Sequence, residues 1–261
     1  MQAFNYAKPS SLADAGRAAA AADAKLLAGG QSLLAAMKLG LAAPSALVDL
    51  GAVKELQGIS VSGGVVKIGA MTTHAAVAAS KEVQQAIPAL AALAGGIGDR
   101  QVRNRGTLGG SLANNDPAAD YPAAVLGLGA TIHTDKRTIA ADDFFKGLYQ
   151  TALNDGEVIT AVSFPVPEKA GWQKFRQPAS RFALVGVFVA KGKGGVRAAV
   201  TGAGASGVFR AKALEDKLAA NWSGSACDGV KIDASGLNSD LHGSAEYRAA
   251  LIPVLAKRAI G

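Results

Sequence analysis

The stretch GDRQVRNRGTLGGSLANNDP, residues 98–117, carries the most distinctive pattern in the chain. Gly109 and Gly110 stand between Thr107 and Ser111, so this segment combines two hydroxyl groups and backbone donors with glycines that a ligand can approach closely. Three arginines precede the glycines and add positive charge. We therefore expect a loop here that binds a phosphate or the polar edge of a ring.

A second glycine-rich segment, AGGQSL at residues 28–33, lies about 75 residues upstream, between a predicted strand and a predicted helix. Free N–H groups at the start of a helix attract anions, and glycine permits the close approach. A tight turn between a strand and a helix explains this segment equally well when it is taken alone. Two such segments in one chain are what a long cofactor with two polar ends requires.

A third segment, GAGASG at residues 202–207, has the formal spacing of a dinucleotide-binding fingerprint. The next acidic residue at a possible strand end, Asp233, comes 26 residues after Gly207, and only 54 residues remain after that glycine. These are too few to complete a doubly wound sheet. We interpret the segment as a turn into a packed helix, with an NAD site as the alternative.

Composition excludes several classes of function. The 261 residues are 49% hydrophobic and carry a net charge of +7. The single cysteine excludes a disulfide framework, a cysteine-built zinc site and an iron–sulfur cluster held by this chain alone. His74, His133 and His242 are too far apart to form a metal-ligand pattern. The basic residues are scattered without interleaved aromatics, so we expect no nucleic acid partner.

The sequence contains no signal peptide pattern and no apolar run long enough to span a bilayer, so we expect a cytoplasmic globular protein without a transmembrane segment. It also lacks the common nucleophile, zinc and P-loop motifs. We therefore predict no catalytic side chain, and expect any chemistry to be carried by a bound cofactor.

Hydrophobic periodicity and turn residues predict short helices and strands along the whole chain. Predicted strands cover 25–28, 46–50, 59–61, 65–68, 130–134, 157–164, 183–190 and 196–201, and predicted helices cover 12–22, 33–39, 73–80, 82–96, 120–126, 208–220 and the chain from about 245. The segment PVPEKAG at 165–171 is the best candidate for a domain boundary. At roughly 100–200 residues per domain, the length suggests two domains or three small ones.

Five segments carry a resemblance to a known family: LAGGQSLL (27–34), LVDL (47–50), IGAMTT (68–73), GDRQVRNRGTLGGS (98–111) and DPAAD (116–120). In this order and spacing they resemble the medium, FAD-binding subunit of the molybdenum hydroxylases. That group includes carbon monoxide dehydrogenase, xanthine dehydrogenase and aldehyde oxidoreductase. The resemblance covers essentially the whole chain.

The resemblance implies an α+β fold. Residues 1–55 and 56–167 would be two α/β subdomains holding FAD between them, in the manner of the PCMH and vanillyl-alcohol oxidase fold. Residues 170–261 would form a C-terminal domain in which a small antiparallel sheet packs on helices.

The resemblance also implies which residues bind FAD. The first loop would hold the pyrophosphate through main-chain donors, and the second loop would line the cofactor beside it. These residues are Ala28, Gly29, Gly30, Gln31 and Ser32 in the first loop and Thr107, Gly109, Gly110 and Ser111 in the second. Asp120 would add a polar contact, with helix capping as the alternative explanation of this residue.

Two further site residues depart from the family pattern. Phe182 stands where the carbon monoxide dehydrogenase type carries a tyrosine near the isoalloxazine, so the apolar surface is kept and a hydroxyl is lost. Arg176 stands where xanthine dehydrogenases carry a lysine, so the charge is kept with a different geometry. Core packing for Phe182 and a solvated surface position for Arg176 are the alternatives.

The function implied by the resemblance is electron transfer. A large partner subunit with molybdopterin would oxidise the substrate, and a small subunit with two [2Fe–2S] clusters would pass electrons to FAD on this chain, which would reduce an external acceptor. The assembly would be a dimer of heterotrimers. A stand-alone FAD oxidoreductase and a cofactor-free scaffold subunit remain alternatives.

Overall fold

The computed structural model describes residues 2–261, which form four β-sheets with short helices packed around them. The N-terminal elements are β1 (Asn5–Ala7), α1 (Leu12–Ala19), β2 (Ala24–Leu27), α2 (Leu33–Lys38) and β3 (Ala46–Asp49). The three strands are parallel in the order β1-β3-β2, and β1 is a strand that the sequence did not predict. Residues 28–32 follow β2 and therefore lie at the carboxyl edge of this sheet, where open α/β sheets bind ligands.

The middle of the chain forms a five-stranded antiparallel sheet with helices. Its elements are β4 (Ile59–Ser62), β5 (Val65–Gly69), α3 (His74–Ala79), α4 (Lys81–Ala86), α5 (Pro88–Gly95), α6 (Arg100–Arg105), α7 (Leu108–Asn114), α8 (Tyr121–Gly127), β6 (Thr131–Thr134), β7 (Thr138–Ala140), α9 (Ala141–Phe144), β8 (Phe145–Gly147), β9 (Gln150–Thr151) and β10 (Ile159–Pro165). The strand order is β4-β5-β10-β6-β7, and β8 and β9 pair separately as a small hairpin. The predicted β4–β5 hairpin is confirmed: Gly63 and Gly64 have φ of +58° and +75°, the values that a tight hairpin turn requires.

One long helix predicted over 82–96 is two helices in the structure, α4 and α5. The break is at Ile87, whose φ of −142° and ψ of 73° are not helical. Pro88 causes it, because the proline ring disfavours helical backbone at the preceding residue while fitting well at the first position of a new helix. Within residues 2–261, no helix is both long enough and apolar enough to cross a membrane.

The C-terminal part forms a second antiparallel sheet with helices on it. Its elements are β11 (Lys169–Arg176), β12 (Ala183–Gly192), β13 (Gly195–Thr201), β14 (Phe209–Arg210), α10 (Lys212–Ala220) and α11 (Ala245–Ile260), in the strand order β11-β12-β13-β14. One face packs on α10 and α11, and the other face packs on the middle part through Phe188 and Ala199. Because both faces are covered, β12 is buried from Ala183 to Ala190, and that stretch contains no polar side chain.

The segment 202–207 is a turn, as interpreted from the sequence. It follows β13, which is an antiparallel strand, so it does not belong to the parallel unit that a dinucleotide fingerprint requires. Gly202 has φ of +82°, and a Cβ there would lie 2.4 Å from the Ala183 carbonyl oxygen. The predicted helix 208–220 begins later, at Lys212, because Phe209 and Arg210 pair with β13 as β14.

The predicted domain boundaries at 1–55, 56–167 and 170–261 remain a prediction. The strands of each of the three larger sheets come from one of these segments. The one exception is that β11 begins at Lys169, one residue before the third segment. The hydrophobic core nevertheless runs across the second boundary, where Phe188 and Ala190 join the residues of α5 and α8. We therefore propose these segments as structural units that share a core.

The contact between β11 and α11 provides a test of the C-terminal packing. At Gly171 of β11, an added Cβ would lie 1.7 Å from the Ala259 carbonyl oxygen of α11. We expect Gly171→Ala to lower the free energy of unfolding by roughly 1–3 kcal/mol, because the helix must move off the sheet. Gly194→Ala, in the β12–β13 turn with nothing within 4 Å, is the matched control. Equal urea unfolding midpoints for the two variants would contradict this packing.

Candidate functional site

The two glycine loops of the sequence lie side by side. A Cβ on Gly29 would lie 2.2 Å from the Arg105 carbonyl oxygen, and a Cβ on Gly110 would lie 3.1 Å from the Ala28 Cβ. Gly29 is therefore required because one backbone packs on the other, a reason distinct from the ligand approach expected from the sequence. This contact joins the N-terminal sheet to the middle of the chain.

A cavity of about 1480 Å³ opens beside the paired loops. It is larger than the ~300–1,000 Å³ typical of drug-sized ligands. Its walls come from all three parts of the chain and include eleven of the twelve residues that the resemblance implied. These eleven are Ala28, Gly29, Gly30, Gln31, Ser32, Thr107, Gly109, Gly110, Ser111, Asp120 and Phe182.

The first loop presents backbone donors that the protein does not use. Among the hydrogen bonds of residues 2–261, none is donated by the backbone N–H of Gly30, Gln31 or Ser32. Gly30 has φ of +73°, which turns the chain from β2 into α2, and the Ser32 side chain makes no capping bond. Adjacent unpaired N–H groups in such a turn suit an oxyanion such as a phosphate.

The second loop differs from the sequence prediction, because most of it is helix α7. Thr107 caps this helix by accepting a hydrogen bond from the Gly110 N–H, and the Gly109 N–H donates to the Ala70 carbonyl oxygen at 2.8 Å. The backbone donors expected here are thus already used. The two glycines concealed the helix, since glycine has low helix propensity. The hydroxyl of Ser111 makes no hydrogen bond within the described residues.

Asp120 forms a buried ion pair that the sequence analysis did not include. Its Oδ2 lies 2.5 Å from Nζ of Lys174 in β11, and the two side chains are 4% and 3% exposed. Lys174 also lines the cavity, and its Nζ donates to the Gly96 carbonyl oxygen at 3.1 Å. Asp120 stands at the N-cap of α8 but makes no capping hydrogen bond, so its side chain pairs with Lys174 instead of the helix N–H groups.

The protonation of Asp120 reflects competing effects. Burial raises the pKa of this carboxyl to about 6, although the Lys174 ammonium and the Arg176 guanidinium both lower it. Its Oδ1 is buried without a hydrogen-bond partner within the described residues. The carboxylate is consequently held by Lys174 at one oxygen only.

Arg176 and Phe182 occupy different positions relative to the cavity. Phe182 lines it and is 49% exposed, so the core-packing alternative for this residue is wrong. Arg176 is exposed and is not among the residues that line the cavity; its Nη2 lies close to Gly96. The role of Arg176 in cofactor binding therefore stays a prediction, and the neighbouring Lys174 places its charge in the cavity wall.

His74 is a further cavity residue that sequence reasoning did not select. Burial, assisted by the Arg103 charge, lowers the pKa of His74 to about 4, so the imidazole is neutral at physiological pH. Its ring centroid lies 5.3 Å from that of Tyr121. Within residues 2–261, no three His, Cys, Asp or Glu side chains come close enough to hold a metal ion.

The β8–β9 hairpin forms one rim of the cavity. Asn115 ends α7 with φ of +43°, and its side-chain amide donates to the carbonyl oxygens of Gly147 and Gln150 at 2.9 and 2.8 Å. This holds the hairpin so that Tyr149, at its tip, lines the cavity and donates a hydrogen bond to Asp116.

Another wall of the cavity depends on Glu157. Its carboxylate is fully buried and accepts hydrogen bonds from Arg137 Nε at 2.9 Å, Thr134 Oγ1 at 2.7 Å and the Asn154 N–H at 2.9 Å. These donors, Arg137 first, lower the pKa of Glu157 to about 2. The loop that leads into β10 is thereby fixed beside the cavity.

Replacing Glu157 with Gln keeps the shape of this side chain and removes its charge. We expect the free energy of unfolding to fall by about 2 kcal/mol near neutral pH, because hydrogen bonds to a charged group are lost. Since the folded pKa of about 2 lies below the unfolded value of 4.5, the difference from the parent chain is complete above pH 4.5 and disappears as the pH falls toward 2.

Urea unfolding over this pH range checks the prediction for Glu157→Gln. The exposed Glu168 makes no side-chain hydrogen bond within the described residues, so Glu168→Gln is the control and should leave stability unchanged. A stability difference between Glu157→Gln and the parent chain that does not vary with pH would rule out the charge as its origin.

Comparisons with known proteins identify the family of this chain. A family model described as the FAD binding domain in molybdopterin dehydrogenase matches residues 2–167. The chain is 37% identical to the nicotine 6-hydroxylase medium subunit of Paenarthrobacter nicotinovorans, over 100% of this chain and 97% of that protein. In the solved structure of carbon monoxide dehydrogenase from Hydrogenophaga pseudoflava, one chain superposes with a TM-score of 0.90 at 36% identity, covering 99% of this chain and 96% of that one.

A chain of quinoline 2-oxidoreductase from Pseudomonas putida 86 is also similar, with a TM-score of 0.88 at 33% identity over 99% of this chain and 96% of that one. The family model spans more than half of the chain and includes both glycine loops and Asp120. These matches confirm the predicted α+β class, with an FAD-binding fold and a small antiparallel sheet, and they confirm FAD as the cofactor. The chain therefore belongs to the FAD-binding medium subunits of the molybdenum hydroxylases, a family of oxidoreductases.

Proposed function

We propose that this chain transfers electrons through FAD, from a partner subunit with [2Fe–2S] clusters to an external acceptor. The observation that carries the proposal is the cavity beside the paired loops. It combines unused backbone donors at residues 30–32 with the buried Asp120–Lys174 pair. A cofactor with an anionic pyrophosphate, hydroxyl groups and a flat ring requires polar groups of these kinds in one elongated site.

In this proposal each wall holds a different part of FAD. The N–H groups of Gly30, Gln31 and Ser32 donate to the pyrophosphate. Gly109 and Gly110 line the cavity beside it, and the hydroxyls of Thr107 and Ser111 add polar contacts. Ala28 and Gly29 complete the first loop. Asp120 accepts a hydrogen bond from the cofactor, Phe182 provides an aromatic surface for its ring, and Arg176 adds positive charge from outside the cavity lining.

FAD, when bound, supplies a carrier that exchanges electrons singly or in pairs. The chain's own residues bind and orient it. The neutral His74 adds no charge to the wall, and Glu157 and Asn115 hold the loops that surround the cavity. Substrate oxidation takes place on a different chain in this proposal.

The partners are also part of the proposal. Relatives are named medium subunit or medium chain of nicotine 6-hydroxylase and of carbon monoxide dehydrogenase, and these names indicate larger complexes. We place a large molybdopterin subunit and a small subunit with two [2Fe–2S] clusters beside this chain, in a dimer of heterotrimers located in the cytoplasm. In this proposal the substrate is oxidised on the large subunit, whereas the electron acceptor reacts with FAD on this chain.

The visible spectrum of the purified chain, with chromatography of the released cofactor, tests the cofactor site. We expect near-stoichiometric FAD. In the co-purified complex, limited chemical reduction under anaerobic conditions should reduce the clusters and bleach the flavin absorbance, and an added quinone, NAD⁺ or O₂ should restore it. A folded chain that contains no flavin and refuses added FAD, alone and in the complex, would support the scaffold alternative.

Removing the hydroxyl group of Ser32 or of Ser111 tests the proposed position of FAD. Neither makes a hydrogen bond within residues 2–261, so Ser32→Ala and Ser111→Ala should leave thermal stability unchanged. We expect each variant to raise the FAD dissociation constant roughly three- to tenfold, because one hydrogen bond contributes about 1 kcal/mol. Ser62→Ala, on the exposed face of β4, is the matched control. Fluorescence titration giving parent affinity for both site variants would exclude this placement.

A further inference from the structure

We propose that Lys174 is a positioning residue of the FAD site, which holds Asp120 ionised and fixed in the cavity wall so that its carboxylate can accept a hydrogen bond from the cofactor. The inference rests on the proposed placement of FAD in the cavity. Lys174 lies in β11 of the C-terminal sheet, outside the segment 2–167 that the FAD-binding family model matches. The site is therefore completed by a part of the chain beyond that segment.

The geometry fixes the ammonium from two directions. Lys174 Nζ lies 2.5 Å from Asp120 Oδ2 and 3.1 Å from the Gly96 carbonyl oxygen. The two side chains are almost completely buried, and both residues line the cavity. A buried lysine so held has little freedom to turn toward solvent, so its charge stays at the carboxylate.

The charge balance of the wall explains why a cation is needed. A buried carboxylate without a partner either becomes protonated or leaves a negative charge next to a cofactor that carries two phosphates. Lys174 removes both problems, because the pair is neutral as a whole while the carboxylate stays an acceptor. Asp120 Oδ1 has no partner within the described residues, so the carboxylate has unused capacity to accept a hydrogen bond.

Other groups around Asp120 do not replace Lys174. Arg176 lowers the pKa of Asp120 as well, but its effect is smaller than that of Lys174, and its side chain is exposed. Tyr121, next to Asp120 in the chain, is buried with a raised pKa and is neutral. His74, which packs on Tyr121, is neutral above pH 4.

The test is the pH dependence of FAD affinity of the full chain, measured by fluorescence. In the parent chain, affinity should weaken as the pH falls through about 6, where Asp120 becomes protonated. In Lys174→Met the carboxyl keeps its burial and loses its main cation, so this midpoint should move up by at least one pH unit. A shift of one pH unit should raise the dissociation constant at pH 7 about twofold, and a shift of two pH units about tenfold, because only the ionised fraction of Asp120 accepts the hydrogen bond.

Three further variants separate positioning from a purely structural role. Lys174→Arg keeps the charge and should return the midpoint toward that of the parent chain. Asp120→Asn should abolish the pH dependence, and adding Lys174→Met to it should change affinity little, because the double variant removes both charges. That double variant also serves as the folded reference if Lys174→Met alone is unstable.

An unchanged pH midpoint in Lys174→Met, with only a lower melting temperature, would overturn the inference. So would equal effects of Lys174→Met in the presence and absence of Asp120→Asn. Because FAD affinity is measured without a partner subunit, this result is independent of whether electrons pass through the chain. A parent chain that binds FAD with no pH dependence near 6 would overturn the positioning role while leaving the electron-transfer proposal intact.

Discussion

The close approach of two backbones, at Gly29 and at the Arg105 carbonyl oxygen, is the constraint on which the rest of the site depends. No side chain larger than hydrogen fits at residue 29 without separating the two loops. Their contact places the carboxyl edge of a small parallel sheet against helix α7 of the middle part. The cavity opens beside this contact, and the unused donors at residues 30–32 lie in its wall.

The two glycine loops look equivalent in the sequence, but their backbone N–H groups and glycines have different roles in the structure. In the first, the turn from β2 into α2 leaves adjacent N–H groups without protein acceptors. In the second, the first N–H groups of the helix already have protein acceptors, and its glycines serve packing against Ala70 and Ala28. Unused backbone donors are thus concentrated in the first loop, and the second loop packs against it.

Two buried carboxyl groups in the cavity wall have pKa values that are shifted in opposite directions. Glu157 is surrounded by donors, so its pKa is lowered, whereas at Asp120 the effect of burial exceeds that of the nearby cations, so its pKa is raised. The first arrangement stabilises a loop at all but strongly acidic pH. The second leaves a carboxylate that is held at one oxygen by a lysine from another part of the chain.

Much of the fold could be predicted from local patterns. The β4–β5 hairpin, the turn at 202–207 and the long apolar strand β12 each follow from neighbouring residues, since turn glycines and apolar runs act over a few positions. The helix break at Ile87 and helix α7 were missed although their causes are local, because a continuous apolar pattern masked Pro88 and two glycines masked the helix.

By itself the sequence determined the family, the cofactor and the two glycine loops, because ordered glycine and polar segments can be recognised from the chain alone. The tertiary structure alone decided which atoms of those loops remain free to bind. It also brought Lys174 to Asp120 across 54 residues of chain, and placed His74 and Glu157 in the wall. Hydrogen-bond use and burial depend on contacts between residues distant in sequence, and no local pattern encodes them.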